Sequence, residues 1–262
     1  MIRNLFAKVS DTMAREGLLS AVRKTGQYVL STVVYGRLRR RQRDELERQD
    51  GFDAKYGTDT SSLVPLEALD LTSENRPRAV LYWPSLQRTV EKMLGSLDID
   101  HREFTFVDIG SGKGRVLMMA SLYPYRRIVG VELSEKLHKV AERNIGLFHP
   151  AEQKCARIEL ICGDATRFAF PDDNLVLYFF DPFDAAVMEK VVSNLANSLR
   201  THDRQVFVIY LHARCRTTFD CSPLFELVSE SRRVGRQYMA IEYDHCTYQH
   251  RPATAKQFFA KR

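Results

Sequence analysis

Four acids, Asp108, Glu132, Asp164 and Asp181, define the chemistry open to this chain. Each follows a run of apolar, largely β-branched or aromatic residues of the kind that forms buried strands: 104–107, 128–131, 158–161 and 175–180. Asp108 leads into Ile109-Gly110-Ser111-Gly112-Lys113-Gly114-Arg115, and Val116, Leu117 and Ala120 then recur at helical spacing. A strand that feeds a helix through glycines lets a ligand press against bare backbone, because glycine has no Cβ and tolerates positive φ. A carboxylate before that turn suits a hydroxyl or an ammonium group and repels a pyrophosphate. Glu132 lies 20 residues beyond Gly112, the offset at which an acid reaches a ribose diol. The ligand implied is nucleoside-like and cationic.

Two competing sites fail on spacing. A dinucleotide fingerprint needs Gly-x-Gly-x-x-Gly, and Arg115 stands where its third glycine belongs. A phosphate loop needs Gly-x-x-x-x-Gly-Lys followed by Ser or Thr, and Lys113 has neither flank.

The elements that position these acids alternate. The sequence predicts helices over 85–97 (opened by Pro84), 113–122, 134–148 (capped by Ser134) and 184–199. It predicts strands over 104–108, 127–131, 157–161, 174–180 and 205–210. Pro223–Ser231 and Gln237–Tyr243 read as an antiparallel hairpin. Strands joined by helices imply right-handed crossovers and an α/β, doubly wound, mostly parallel sheet. In such a sheet ligands bind at the carboxyl ends of the strands, where the four acids fall.

With 262 residues and 44% hydrophobic content, the chain can bury one substantial core. The domain reading is a basic helical extension over 1–50, a loop or lid with a pre-motif over 51–83, and a catalytic domain over 84–262. Net charge is +6, which permits an acidic partner without requiring one. Residues 1–50 hold 11 Lys and Arg against 6 Asp and Glu, with a run at 36–43. Asp44, Glu45 and Glu47 lie four residues beyond Arg40, Arg41 and Arg43, so a solvated helix with internal ion pairs competes with docking to an acidic partner or an anionic lipid surface. No apolar stretch approaches the roughly 20 residues of a membrane span. The five cysteines form no Cys-x-x-Cys pair and read as reduced thiols of a cytoplasmic protein. His212, Cys215, Cys221, His245, Cys246 and His250 match no familiar metal-ligand spacing, so no metal is expected.

Val-Asp-Ile-Gly-Ser-Gly-Lys-Gly-Arg (107–115), Val-Gly-Val-Glu-Leu-Ser (129–134), Cys-Gly-Asp-Ala (162–165) and Phe-Phe-Asp-Pro-Phe (179–183) together resemble the class I S-adenosylmethionine-dependent methyltransferases, in order and spacing, over roughly residues 80–245. The resemblance implies that Asp108 and the turn Gly110, Ser111, Gly112 and Gly114 wrap the methionine and ribose of the cofactor. Glu132 would hold the ribose hydroxyls, Leu133 would pack on the adenine, and Asp164 with Ala165 would meet the adenine amino group. Asp181, Pro182 and Phe183 would face the methyl group and the acceptor. Asp164 and Asp184 read equally as helix N-caps.

Asp-Pro-Phe is similar to the Asn/Asp-Pro-Pro-Tyr/Phe signature of enzymes that methylate planar or amide nitrogens, but lacks its second proline. Leu81-Tyr82-Trp83-Pro84-Ser85 resembles the pre-motif of seven-stranded protein-lysine methyltransferases, which lies over the cofactor and shapes the acceptor channel; Tyr82 joins the catalytic candidates on that ground. A hydrophobic staple at a helix start is the competing reading. Residues 52–60 resemble a stretch in uncharacterised bacterial members and suggest a lid. The expected activity is methyl transfer to a nitrogen, first of all a protein lysine. A small-molecule or nucleic-acid acceptor, or an inactive cofactor-binding partner protein, are the alternatives.

Overall fold

The central sheet has seven strands in the order β3-β2-β1-β4-β5-β7-β6. They are β1 (Phe104–Ile109), β2 (Arg127–Glu132), β3 (Ile158–Cys162), β4 (Asn174–Phe180), β5 (Val206–Leu211), β6 (Glu226–Ser231) and β7 (His245–His250). Strands β1 to β5 run parallel, and β7 lies antiparallel to both β5 and β6. The computed structural model describes residues 44, 51–72, 74–231 and 244–252. The basic run 36–43 and the strand expected over 237–243 lie outside the described residues. The antiparallel partner of β6 is found at 245–250 instead. Every element named here belongs to one compact unit.

The helices are α1 (Phe52–Tyr56), α2 (Gln87–Gly95), α3 (Arg115–Ala120), α4 (Glu135–Leu147), α5 (Ala185–Thr201) and α6 (Thr217–Asp220). Strand alternation sends side chains to two apolar layers. Val107, Ile109, Leu175, Leu177, Phe179, Val208 and Tyr210 face Met188, Val191 and Leu195 of α5. Phe104, Phe106, Val176, Tyr178, Phe207 and Ile209 face Val90, Met93 and Leu94 of α2 and the buried α3. Burying each such large side chain stabilises the fold by about 1.5–3 kcal/mol. Both β1 and β5 are buried along their whole length, which explains the unbroken apolar run of β5, while β1 buries Thr105 and Asp108 among its apolar residues.

Helix starts follow capping chemistry where a capping side chain exists. Ser134 Oγ accepts from Leu137 N at the head of α4, and Asp184 accepts from Val187 N at the head of α5. Pro84 does not open α2. That helix begins at Gln87 after an extended Leu86, which leaves Pro84 and Ser85 buried ahead of it.

Chain order reverses at β1: β2 and β3 lie to one side and β4 and β5 to the other. The splayed loops after β1 and β4 leave a crevice at the carboxyl ends, the usual ligand position in such sheets.

Candidate functional site

A cavity of about 400 Å³ occupies that crevice. Strand ends form its floor, and residues 69–85 supply much of its remaining wall. Tyr82, Asp108, Gly110, Ser111, Gly112 and Glu132 line it, as do Leu133, Asp164, Ala165, Asp181, Pro182 and Phe183. One of the anticipated residues is absent from the wall. Gly114 caps α3 in the left-handed region, and a Cβ there would stand 3.2 Å from Ala141 Cβ. It serves helix packing.

Glu132 ties the floor together. Its Oε2 accepts from Gly112 N and its Oε1 from Ser134 N, each at 2.8 Å. Burial pushes its carboxyl up, opposed by those backbone donors. Asp108, 3% exposed, is pushed well above the ordinary carboxylate range by burial and then by the charge of Glu132. Two acids share one desolvated floor, a field that attracts a cation or a hydroxyl donor. Asp164 caps the 3₁₀ turn Ala165–Arg167: its Oδ1 accepts from Thr166 N and Thr166 Oγ1, each at 2.8 Å. Asp184 is a cap outside the wall.

The glycines of the turn do a job the sequence did not reveal. Gly110 and Gly112 have φ of 86° and 54°. A Cβ on Gly110 would lie 2.6 Å from Pro182 Cβ, and one on Gly112 would lie 2.4 Å from the Tyr82 ring. Their bareness admits two neighbouring side chains of the protein itself, one from the loop after β4 and one from the pre-motif. Gly112→Ala is therefore expected to expel the Tyr82 ring and strain the turn, at about 1–2 kcal/mol for the left-handed backbone alone. A lowered melting temperature together with increased Tyr82-region hydrogen exchange would show this; an unchanged melt would contradict it.

Tyr82 does more than stand over the turn. Its hydroxyl donates to Thr60 O at 2.8 Å, its backbone pairs with Val64, and Lys113 Nζ sits 5.5 Å from its ring centre. Burial holds its phenol above the ordinary value. With its hydroxyl engaged, Tyr82 offers the cavity an aromatic face and no proton. Trp83 lines the wall beside it, its Nε1 buried without a partner. Ser85 Oγ and the Tyr178 hydroxyl meet at 2.9 Å below.

Asp181 adopts a left-handed backbone, φ 41°, unusual for a residue other than glycine. Its Oδ2 accepts from Arg214 Nε, and His212 Nε2 stands 3.9 Å from the same oxygen. Its Oδ1 is buried with no partner. Burial pushes its carboxyl up, and Arg214 opposes the shift. A strained backbone and an orphaned carboxylate oxygen coincide at the edge of the cavity.

Arg115 is the residue whose role sequence reasoning missed. It is 2% exposed. It donates to Ser85 O at 2.8 Å, Thr60 Oγ1 at 2.6 Å and Ser61 Oγ at 3.3 Å, and its guanidinium lies 4.5 Å from the Phe52 ring centre. Asp53 completes the buckle 3.8 Å away. Burial works against the Asp53 charge, but hydrogen bonds from the hydroxyls of Thr60 and Thr58 and from the N–H groups of Thr60 and Ser61 hold its carboxyl below the usual value. Asn144 of α4 adds a second clasp, accepting from Asp59 N and donating to Asp59 O and Lys113 O. The lid expected over 52–60 is thus fastened to the glycine turn. The partners lie more than fifty residues apart in sequence, where no local spacing connects them.

Among the described residues no group of three or more His, Cys, Asp or Glu is placed to hold a metal ion, and no helix is long and apolar enough to cross a membrane.

Residues 106–202 match the family described as a methyltransferase domain. No curated protein matches the chain. Among solved structures it is similar to a protein of the NADB-Rossmann superfamily from Streptococcus agalactiae, at 12% identity over 64% of this chain and 70% of that one, with a TM-score of 0.45. It is also similar to magnesium protoporphyrin IX methyltransferase from Synechocystis PCC 6803, solved with bound SAM, at 16% identity over 63% and 79% of the two chains and a TM-score of 0.46. Ribosomal protein L11 methylase from Lactobacillus delbrueckii subsp. bulgaricus gives 16% identity, 63% and 79%, and 0.43. The family match runs from β1 to just past the end of α5, the part of the sheet that carries all four acids, so this stretch of the chain matches a methyltransferase domain, set in a seven-stranded sheet.

Proposed function

We propose that this chain transfers a methyl group from S-adenosylmethionine to an amine, and that the amine is a lysine side chain of a protein. The observation that carries the reading is a single cavity shared by the acid pair Asp108 and Glu132, the strained Asp181–Phe183 loop and the aromatic pre-motif. The residues present fit the cofactor. Asp108 and Glu132 are desolvated acids whose raised carboxyls would be relieved by a positively charged, hydroxyl-bearing ligand. Leu133, 38% exposed, offers an apolar face for a flat base. Asp164, with both its hydrogen bonds on Oδ1, keeps Oδ2 for a donor. The bound cofactor supplies an activated methyl group on its sulfonium.

What remains for the protein is alignment and proton removal. An ammonium cannot attack, so its proton must leave first. Asp181, held by Arg214 on one oxygen and unpartnered on the other, is an acceptor whose raised carboxyl suits that transfer. Tyr82, Trp83 and Phe183 give the channel aromatic faces that favour an ammonium by cation–π attraction.

Incubating the protein with tritiated S-adenosylmethionine and a cell lysate tests this. Label in protein that hydrolyses to methyl-lysine is the expected result. Label confined to nucleic acid or small molecules would overturn the lysine assignment. No label, with S-adenosylhomocysteine still binding in calorimetry, would make the chain a cofactor-binding partner protein.

A further inference from the structure

Three cations converge on the mouth of the cavity from three separate elements: Arg78 from the segment before α2, Arg167 from the turn after β3, and Lys190 from α5. One face of α5 gathers them. Arg78 O accepts from Asp184 N at the head of that helix, and Ala79 pairs with Phe183 just before it. Val187, Lys190 and Asn194 follow at helical spacing along one stripe. Val187 and Lys190 line the cavity, while Asn194 donates to Phe168 O, next to the turn that holds Arg167.

None of the three side chains has an ion pair or side-chain hydrogen bond among the described residues. Several cations elsewhere on the surface are matched, Lys55 with Glu152, Arg126 with Asp173, Lys139 with Glu135, and Arg216 with Asp220 and Glu230; what sets these three apart is that they gather at one cavity. The acids at the same mouth are Glu74 and Asp164, and Asp164 is bonded to Thr166. Three cations against these two acids leave the rim with a small net positive charge outside a floor that is acidic. An acceptor entering this site meets a rim in which cations outnumber acids, and then the buried acids Asp108 and Glu132.

The geometry points to an acceptor segment that is acidic around its amine, a lysine flanked by aspartate or glutamate, with Arg78, Arg167 and Lys190 reading the flanking carboxylates. This deepens the proposed function and rests on it. The opposed charges also orient the substrate, since the flanks are attracted at the rim and only the ammonium is attracted to the floor. Arg suits such a role through its fork of donors, and Lys through its reach.

Fluorescence anisotropy tests it with labelled nonapeptides carrying a central lysine flanked on both sides by glutamate, by glutamine or by arginine. They are titrated into the protein with and without S-adenosylhomocysteine. We expect the glutamate peptide to bind at least tenfold tighter than the glutamine peptide at low salt, with the margin shrinking as salt rises. In Arg78→Glu and Lys190→Glu that preference should vanish while S-adenosylhomocysteine affinity stays unchanged. Equal binding of the three peptides, no binding of any, or preference for arginine would overturn the inference. So would a parallel loss of S-adenosylhomocysteine affinity in the variants, which would give these cations to the cofactor. Failure of the wild-type protein to bind S-adenosylhomocysteine would refute the methyl-transfer reading itself, and the peptide ranking on the unloaded protein would still decide this one.

Discussion

Asp108→Asn is expected to raise the melting temperature of the unliganded protein while removing most of its affinity for S-adenosylhomocysteine. The two effects have one cause. Asp108 is buried beside Glu132, and its carboxyl is raised by burial and by that neighbouring charge. A carboxyl raised in the folded state holds its proton where the unfolded chain has lost it, so stability falls as pH rises through the window above the ordinary carboxylate value. At neutral pH that raised carboxyl is a cost to the fold. Asparagine keeps the shape and removes the charge, and the relief of a desolvated polar group is about 1–3 kcal/mol. The same substitution deletes a charge-assisted contact to the ligand, a loss on the order of 10- to 100-fold in affinity. Wild-type affinity should also fall as pH is lowered through the raised range, and the variant should lack that dependence. Calorimetry and thermal melts between pH 5 and about 8 would decide, the range where stability is commonly maximal. A variant that melts lower and binds as well as the wild type would refute the assignment.

Arg115→Ala should be the most damaging substitution outside the cavity floor. The guanidinium is the common partner of Asp53, Thr60, Ser61 and the Ser85 carbonyl, so its removal unfastens residues 52–61 and the pre-motif together. Breaking a buried pair by deleting one member costs about 3–5 kcal/mol. Limited proteolysis should then cut within 51–86, and S-adenosylhomocysteine binding should be lost with it. Arg115→Lys should not rescue, because a single ammonium cannot serve a carbonyl and two hydroxyls that a planar fork reaches at once. Rescue by lysine, or resistance to proteolysis in the alanine variant, would show that the buckle is dispensable. The Asp53 half of the buckle carries the opposite pH sign to Asp108. Its carboxyl is held below the usual value, so its contribution is complete at neutral pH and is lost only as pH falls through that lowered range.

Much of the site was legible in sequence because the sheet imposes it. Acids after Val107, Val131, Gly163 and Phe180 had to fall at carboxyl ends once the strands were recognised, and Ser134 was readable as a cap, while a cap was one of two equal readings for Asp184. Residues joined by long-range contacts were not legible. Nothing in the turn 110–114 indicates that its bareness faces Pro182 and Tyr82. Arg115 served in sequence only to exclude a dinucleotide fingerprint, because its partners lie 30 to 62 residues upstream. Pro84 looked like a helix opener and instead sits in the wall beside Trp83. The second hairpin strand fell at 245–250 because Cys246 and Tyr248, which the composition of 237–243 outcompeted on paper, reach the apolar layer beside β5.

The wall supplied by residues 69–85 has a consequence for where this domain begins and ends as an object. The recognised family stretch opens inside β1, yet Asp53, Thr60, Tyr82 and Ser85 all precede it and bear on its glycine turn. An excised piece cut to the homology boundaries would keep every signature acid and lose the surface opposite them, leaving a groove where the intact chain has a chamber. The folded unit is therefore wider than its recognisable signature, and fragments and engineered fusions drawn at residue 106 would discard about a third of the residues that line the cavity.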